Sequence, residues 1–232
     1  MIHAENLTVC YGPGEAPALR CISFSVQEGE RAALIGANGA GKSTLLLALV
    51  GILEPASGQV SVCGLNIETK NLRQLRQKAA LVFQNPDDQL FMPTVYEDIA
   101  FGPRNYGIAE SLIKERADMV MGNLDIAHLA GRLAGKLSGG EKRLAALAGV
   151  LIMEPEIILL DEPSSFLDPR SRRRLIGILK GLTQTLLVAT HDTDLARQVC
   201  KRVILLKEGR IAADGKTSDI LGNAELLEEC GL

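Results

Sequence analysis

Tryptophan is absent from this 232-residue sequence, and aromatic residues make up only 3% of it. Stacking platforms for single-stranded bases are correspondingly scarce. A basic excess is missing too: Lys and Arg number 25 against 28 Asp and Glu, a formal charge of −3. Affinity for nucleic acid rests on neutralised phosphates, so no nucleic-acid partner is expected. The five cysteines (Cys10, Cys21, Cys63, Cys200 and Cys230) form no C-x-x-C pair and are odd in number. That pattern argues against a disulfide framework or a zinc site and suits a reducing cytosol. The longest apolar runs, Leu45–Leu53 and Leu144–Met153, fall short of the roughly 18 to 20 residues that cross a bilayer. Met1-Ile2-His3-Ala4-Glu5 has neither the basic nor the apolar region of a signal peptide. The expectation is a soluble, cytoplasmic protein that can still dock on a membrane component.

What is present is an ordinary globular composition: 47% hydrophobic, 23% charged, with 23 Gly and 9 Pro. A chain of this size can bury a sizeable core. Short β-branched or alternating runs predict strands over Ile2–Val9, Ile22–Val26, Arg31–Ile35, Gln59–Cys63, Ala80–Phe83, Glu156–Leu160, Thr185–Ala189 and Arg202–Leu206. The stretches 32–35, 157–160 and 186–189 are continuous and apolar, as central parallel strands covered on both faces should be. Between Asn85 and Ile152 the pattern turns helical, with Leu144, Leu147, Ala148 and Leu151 spaced i, i+3, i+4 and i+7. Glu208-Gly209 reads as a hairpin turn. No repeat or linker interrupts the chain, so the helical stretch reads as an insertion within one α/β domain.

Gly36-Ala37-Asn38-Gly39-Ala40-Gly41-Lys42-Ser43 matches G-x-x-x-x-G-K-[ST] and lies between a buried strand and the helical run Thr44–Val50, the context that makes this motif credible. Its glycines let backbone N–H groups wrap a polyphosphate at a helix N-terminus. Lys42 is expected on the β and γ phosphates, and the Ser43 hydroxyl on Mg²⁺. Ile157–Leu160 runs into Asp161-Glu162. An acid at the exit of a buried strand can hold Mg²⁺ (Asp161), and its neighbour can act as general base on a water (Glu162). The two motifs together predict that a nucleoside triphosphate is bound and hydrolysed.

Leu137-Ser138-Gly139-Gly140-Glu141 resembles the signature motif of the ATP-binding cassette (ABC) ATPases, whose fifth residue is usually Gln. A Ser and two glycines at a helix N-terminus make a second anion site. Other elements resemble the same family in order: Gln84 its Q-loop glutamine, Ser165-Phe166-Leu167-Asp168 its D-loop, His191 its switch histidine, and Tyr11, placed 25 residues before Gly36, its adenine-stacking aromatic. His3 and His128 remain ordinary polar residues. The resemblance implies an α/β fold with a P-loop (RecA-like) ABC ATPase core, an antiparallel β subdomain around residues 1–70 and a helical subdomain around 87–150, all in one cassette domain over 1–232. It implies ATP and Mg²⁺ as cofactors. Nucleotide contacts would come from Tyr11, Gly36, Ala37, Asn38, Gly39, Ala40, Gly41, Lys42, Ser43, Thr44, Ser138, Gly139 and Gly140. Metal contacts would come from Ser43, Gln84 and Asp161, and the catalytic group would be Glu162, His191 and Gln84.

Residues 83–91 (Phe-Gln-Asn-Pro-Asp-Asp-Gln-Leu-Phe) and 94–103 (Thr-Val-Tyr-Glu-Asp-Ile-Ala-Phe-Gly-Pro) resemble the ATPases of cobalt and nickel importers and of the energy-coupling-factor group. The resemblance implies a second ATPase subunit, identical or not, sandwiching two ATP molecules head to tail, with a membrane coupling subunit and a substrate-binding membrane subunit. The chain would then be peripheral on the inner face of the cell membrane, with Asp87 and Asp88 offered to an arginine of the coupling subunit. An ABC ATPase of another importer class, or one outside transport, stays open. Chromosome-maintenance relatives would separate Lys42 and Asp161 with long coiled coils, and here the two positions are only 119 apart.

Overall fold

The computed structural model describes residues 1–12 and 14–232. Among them the strands are β1 (Ile2–Val9), β2 (Leu19–Val26), β3 (Arg31–Ile35), β4 (Ser57–Val62), β5 (Leu65–Asn66), β6 (Ala79–Val82), β7 (Ile157–Asp161), β8 (Thr185–Thr190), β9 (Arg202–Lys207) and β10 (Arg210–Lys216). The helices are α1 (Lys42–Leu49), α2 (Leu72–Lys78), α3 (Val95–Asn105), α4 (Glu110–Asn123), α5 (Gly139–Leu151), α6 (Pro169–Gly181), α7 (Thr193–Val199), α8 (Thr217–Gly222) and α9 (Ala224–Glu229). None of these helices is long and apolar enough to cross a membrane. The chain forms two compact units: one of residues 1–81, 156–162 and 183–232, the other of 82–155 and 163–182.

The first unit holds two sheets. A six-stranded sheet runs β10-β9-β3-β8-β7-β6, with β3, β7, β8 and β9 parallel and β10 turned back on β9. All residues of β7 and β8 are buried, which is why their sequences are apolar without alternation. A four-stranded antiparallel sheet runs β2-β1-β4-β5. Its strands alternate because one face is wetter: β1 buries Ile2, Ala4, Leu7 and Val9 and exposes His3 and Glu5. Helix α1 buries six of its eight residues, and a helix apolar nearly all round belongs inside a core. Leu45, Leu46 and Leu49 of α1 join Leu34, Leu159 and Leu187 of one sheet and Ile2, Leu7 and Leu19 of the other in a single cluster. Each such side chain contributes about 1.5–3 kcal/mol by leaving water.

The β9–β10 turn lies where Glu208-Gly209 predicts it, and it does more than reverse the chain. Gly209 has φ 74°, and a Cβ there would stand 2.4 Å from the Ala18 carbonyl oxygen. Its N–H donates to Ala40 O at 3.0 Å, and its own carbonyl accepts from Arg20 N at 2.8 Å. This tie explains why β2 begins at Leu19, three residues before the alternating run at Ile22: the extra pairing comes from tertiary contact.

The second unit is helical. Helix α3 packs against α4 and α5, and α5 also contacts α6. Thr94 caps α3 by accepting from Glu97 N, and Ser138 with Glu141 forms a full capping box on α5. Asp168 caps α6 through Arg170 N and Ser171 N, and Pro169 fills the first helical position, where no N–H is needed.

Candidate active site

The chain leaves β3 at Ile35, crosses residues 36–41 and enters α1 at Lys42. A Cβ at Gly36 would lie 2.5 Å from the Leu206 carbonyl oxygen, so only glycine lets the loop pass β9. Gly39 and Gly41 take φ of 81° and 105°, which L side chains rarely adopt. Asn38 and Gly39 at the crest are exposed, leaving backbone amides open to a polyphosphate. Lys42 is 7% exposed. Its Nζ donates to Gly36 O at 2.7 Å and Ala37 O at 3.2 Å. The Tyr11 hydroxyl meets Thr44 Oγ1 at 2.8 Å, while the residue remains 60% exposed. The hydroxyl is thus anchored at α1 and the ring is presented to solvent, as a stacking platform must be.

Asp161 closes β7 and Glu162 follows it, both buried. Glu162 sits at φ 42°, a conformation that costs energy and persists only where the surroundings enforce it. Those surroundings are explicit. Its N–H donates to Ala189 O at 2.8 Å. Its Oε1 lies 3.4 Å from Lys42 Nζ, and its Oε2 is 2.9 Å from His191 Nδ1. Thr190 Oγ1 also donates to Oε2, at 3.1 Å. The structure therefore brings Lys42, Glu162 and His191 into one constellation. Ser43 and Asp161, from the same unit, offer hard oxygen donors of the kind Mg²⁺ takes. The glycine cradle and this donor set fit a Mg²⁺–nucleotide, which would supply charge neutralisation at the phosphates.

The second unit carries the remaining expected residues. Ser138 Oγ donates to Glu141 Oε2 at 2.8 Å, as does Ser138 N. These bonds hold the Glu141 carboxyl below the usual carboxylate range. The residue that departs from the family's Gln is thus the partner of the signature serine. A Cβ at Gly140 would meet Ser171 Oγ at 2.6 Å, so a larger residue there would have to displace the Ser171 side chain. Ser171 Oγ in turn donates to Asp168 Oδ2 at 2.5 Å. Gly139 meets no such neighbour. Arg143, absent from the sequence-level assignment, is 2% exposed and donates to the carbonyls of Phe83 and Gln84 at 2.6 Å each. It ties the Gln84 backbone to the signature helix. No sequence signal set it apart: Glu141, Lys142 and Arg143 are consecutive charges ahead of the apolar run that begins at Leu144. Asp87 pairs with Lys142 at 2.6 Å, and Asp88 accepts from Asn85 Nδ2 at 3.2 Å. Asp87 and Lys142 border a cavity of about 300 Å³ that Gln84 and Phe166 also line.

A family model described as ABC transporter matches residues 19–165, well over half of the sequence. The chain belongs to the ABC transporter family. It is an ABC ATPase of a transporter, and its α/β fold is that of the ATP-binding cassettes. The cassette is 44% identical to the energy-coupling factor transporter ATP-binding protein EcfA of Methanothermobacter thermautotrophicus, over 100% of this chain and 76% of that protein. It is similar to the solved structure of cbiO1 from Clostridium perfringens, described as part of the ABC transporter complex cbiONQ, with TM-score 0.86, 35% identity and coverage of 98% of this chain and 93% of that one. It is also similar to the ATP-binding cassette MJ0796, solved as a dimer in a post-hydrolysis state bound to ADP and Pi, with TM-score 0.84, 28% identity and coverage of 94% and 99%.

Proposed function

We propose that this ABC ATPase energises an importer of the energy-coupling-factor type, taking up cobalt or nickel ions or a vitamin. We read residues 1–232 as one cassette. Two copies, or this chain and a related one, would sandwich two ATP molecules, each lying between Gly36–Ser43 of one subunit and Ser138–Gly140 of the other, as two-fold symmetry allows. The observation that carries the catalytic reading is the contact of both Lys42 and His191 with Glu162, at 3.4 and 2.9 Å. In that reading Glu162 accepts the proton of the attacking water, Lys42 neutralises phosphate charge, His191 holds the carboxylate and reaches the γ-phosphate, and Tyr11 stacks on adenine. Ser43 and Asp161, joined by Gln84, would hold Mg²⁺. ATP closes the pair and product release opens it, so hydrolysis becomes motion.

The importer assignment draws support from residues 83–91 and 94–103, and from similarity to EcfA and cbiO1. In this reading the chain sits on the inner face of the membrane beneath a coupling subunit, and Asp87 receives an arginine of that subunit in exchange for Lys142. Arg binds carboxylate through two parallel hydrogen bonds. The test is co-purification of the full chain with its membrane subunits, beside ATP-dependent uptake of cobalt, nickel or a vitamin. Asp87→Ala with Asp88→Ala should weaken assembly at least tenfold while ATPase activity of the chain persists. Co-purification with ribosomes or DNA instead of membrane proteins would reject the importer reading.

A further inference from the structure

The hydroxyl of Thr190 has no part in the roles assigned above, yet it is placed with care. Thr190 is fully buried, at 0% exposure, and a buried hydroxyl needs its hydrogen bonds. Its Oγ1 donates to Glu162 Oε2 at 3.1 Å and accepts from Asp192 N at 3.0 Å. The donating and the accepting capacity of the group are therefore both in use. Its β-branched side chain has few χ1 states, so the direction in which the hydroxyl points is set by the backbone. That backbone is itself fixed. Thr190 ends β8, the strand lying between β3 and β7. On one side it is in register with Ile35, the last residue before the phosphate loop. On the other, the preceding Ala189 pairs with Asp161 and its carbonyl accepts from Glu162 N. One residue thus joins the strand that feeds the phosphate loop, the acid pair and the switch histidine beside it.

We propose that Thr190 is a positioning residue for ATP hydrolysis: its buried hydroxyl fixes the Glu162 carboxylate in the orientation from which it serves the attacking water. His191 alone does not achieve this. Its side chain is 56% exposed and its backbone N–H meets Oε2 at the long distance of 3.4 Å, whereas the Thr190 hydroxyl is fully buried and lies at 3.1 Å. The inference rests on the assignment of Glu162 as general base. A base out of alignment slows the chemical step without weakening the hold on the nucleotide, so the effect belongs in kcat and not in KM.

The test compares Thr190→Val, which keeps shape and loses the hydroxyl, with Thr190→Ser, which keeps the hydroxyl. Steady-state ATPase activity of the full chain is measured with ATP and Mg²⁺. Thr190→Val should lower kcat about tenfold with KM changed less than twofold, and Thr190→Ser should restore kcat to within about threefold of the natural chain. In a Glu162→Gln background the Thr190→Val change should add nothing, because the group it positions is gone. An unchanged kcat in Thr190→Val, an equal loss in Thr190→Ser, or a loss confined to KM would each overturn the proposal. Retained turnover in Glu162→Gln by itself would instead reject the general-base assignment on which it stands. The two failures are thereby told apart.

Discussion

Lys42 Nζ stands 3.4 Å from Glu162 Oε1, both side chains 6% exposed. The expected phosphate-binding cation and the expected general base are thus direct neighbours, and a change in either is felt by both. Buried charges of this kind hold each other strongly only while both are present. Glu162→Gln should lower ATP turnover at least a hundredfold, since the amide cannot accept the proton of water. ATP binding should survive, and the variant should accumulate an ATP-bound dimer on size-exclusion chromatography. Lys42→Ala should instead weaken ATP binding outright, by tenfold or more in a nucleotide titration, because a charge-assisted contact to phosphate is lost. If both variants lost binding equally, the division of labour between the two residues would be wrong.

The anchored ring of Tyr11 yields a second expectation. Tyr11→Phe loses only the bond to Thr44 Oγ1, and Tyr11→Ala loses the stacking face as well. Stacking on a base contributes about 1–3 kcal/mol. ATP affinity should therefore fall at least fivefold in Tyr11→Ala and less than threefold in Tyr11→Phe. Equal losses in the two variants would show that the hydroxyl anchor, not the ring, governs binding.

Ser138 separates binding from closure. The Ser138 and Glu141 capping box lies on the second unit, whereas the phosphate loop belongs to the first. Ser138→Arg should leave ATP binding to a single chain within about twofold, while dimer formation and turnover are lost. The readout is a nucleotide titration beside light scattering with ATP. Lost binding in the single chain would contradict the two-subunit site.

Thiol chemistry gives a fourth expectation, independent of nucleotide. Burial, reinforced by the charge of Glu156, pushes the Cys63 thiol up to about 11, and burial pushes Cys200 up to about 12. The thiolate is the reactive form, so at pH 8 both groups are overwhelmingly protonated and become reactive only as pH rises toward those values. Cys21 is exposed. Iodoacetamide at pH 8 should alkylate Cys21 at least tenfold faster than Cys63 or Cys200, as peptide mass analysis would read. Equal rates would mean that the environments of Cys63 and Cys200 open in solution.

Much of this arrangement was legible before any coordinates. The strand at 2–9 was readable residue by residue, and β3, β7 and β8 were readable because buried parallel strands tolerate only apolar side chains. The phosphate loop was readable because its spacing demands glycine at 36, where the Leu206 carbonyl leaves no room for a Cβ, and at 41, where φ is 105°. The rest depends on partners distant in sequence. The early start of β2 at Leu19 needs Gly209, and the tie from Arg143 to residues 83 and 84 needs α5 folded back on the loop before α3. The part played by Thr190 needs β7 and β8 side by side. Helices α2, α7, α8 and α9, of six or seven residues each, are shorter than the window of roughly 11 to 18 residues over which helical periodicity is read. None of them was legible in advance. Periodicity sees one segment at a time, and these features exist only between segments.

The tie between Gly209 and Ala40 makes the nucleotide motif a property of the whole chain, not of the stretch in which it is written. A fragment ending before Arg202 would still spell Gly36 to Ser43 in full. It would lack the hairpin amide that grips Ala40, the carbonyl that receives Arg20, and the β9 backbone against which Gly36 turns. Such a fragment would hold the inscription without the masonry behind it. For the same reason a lengthened 208–209 turn, some 170 residues downstream, should loosen ATP as surely as a lesion in the loop itself.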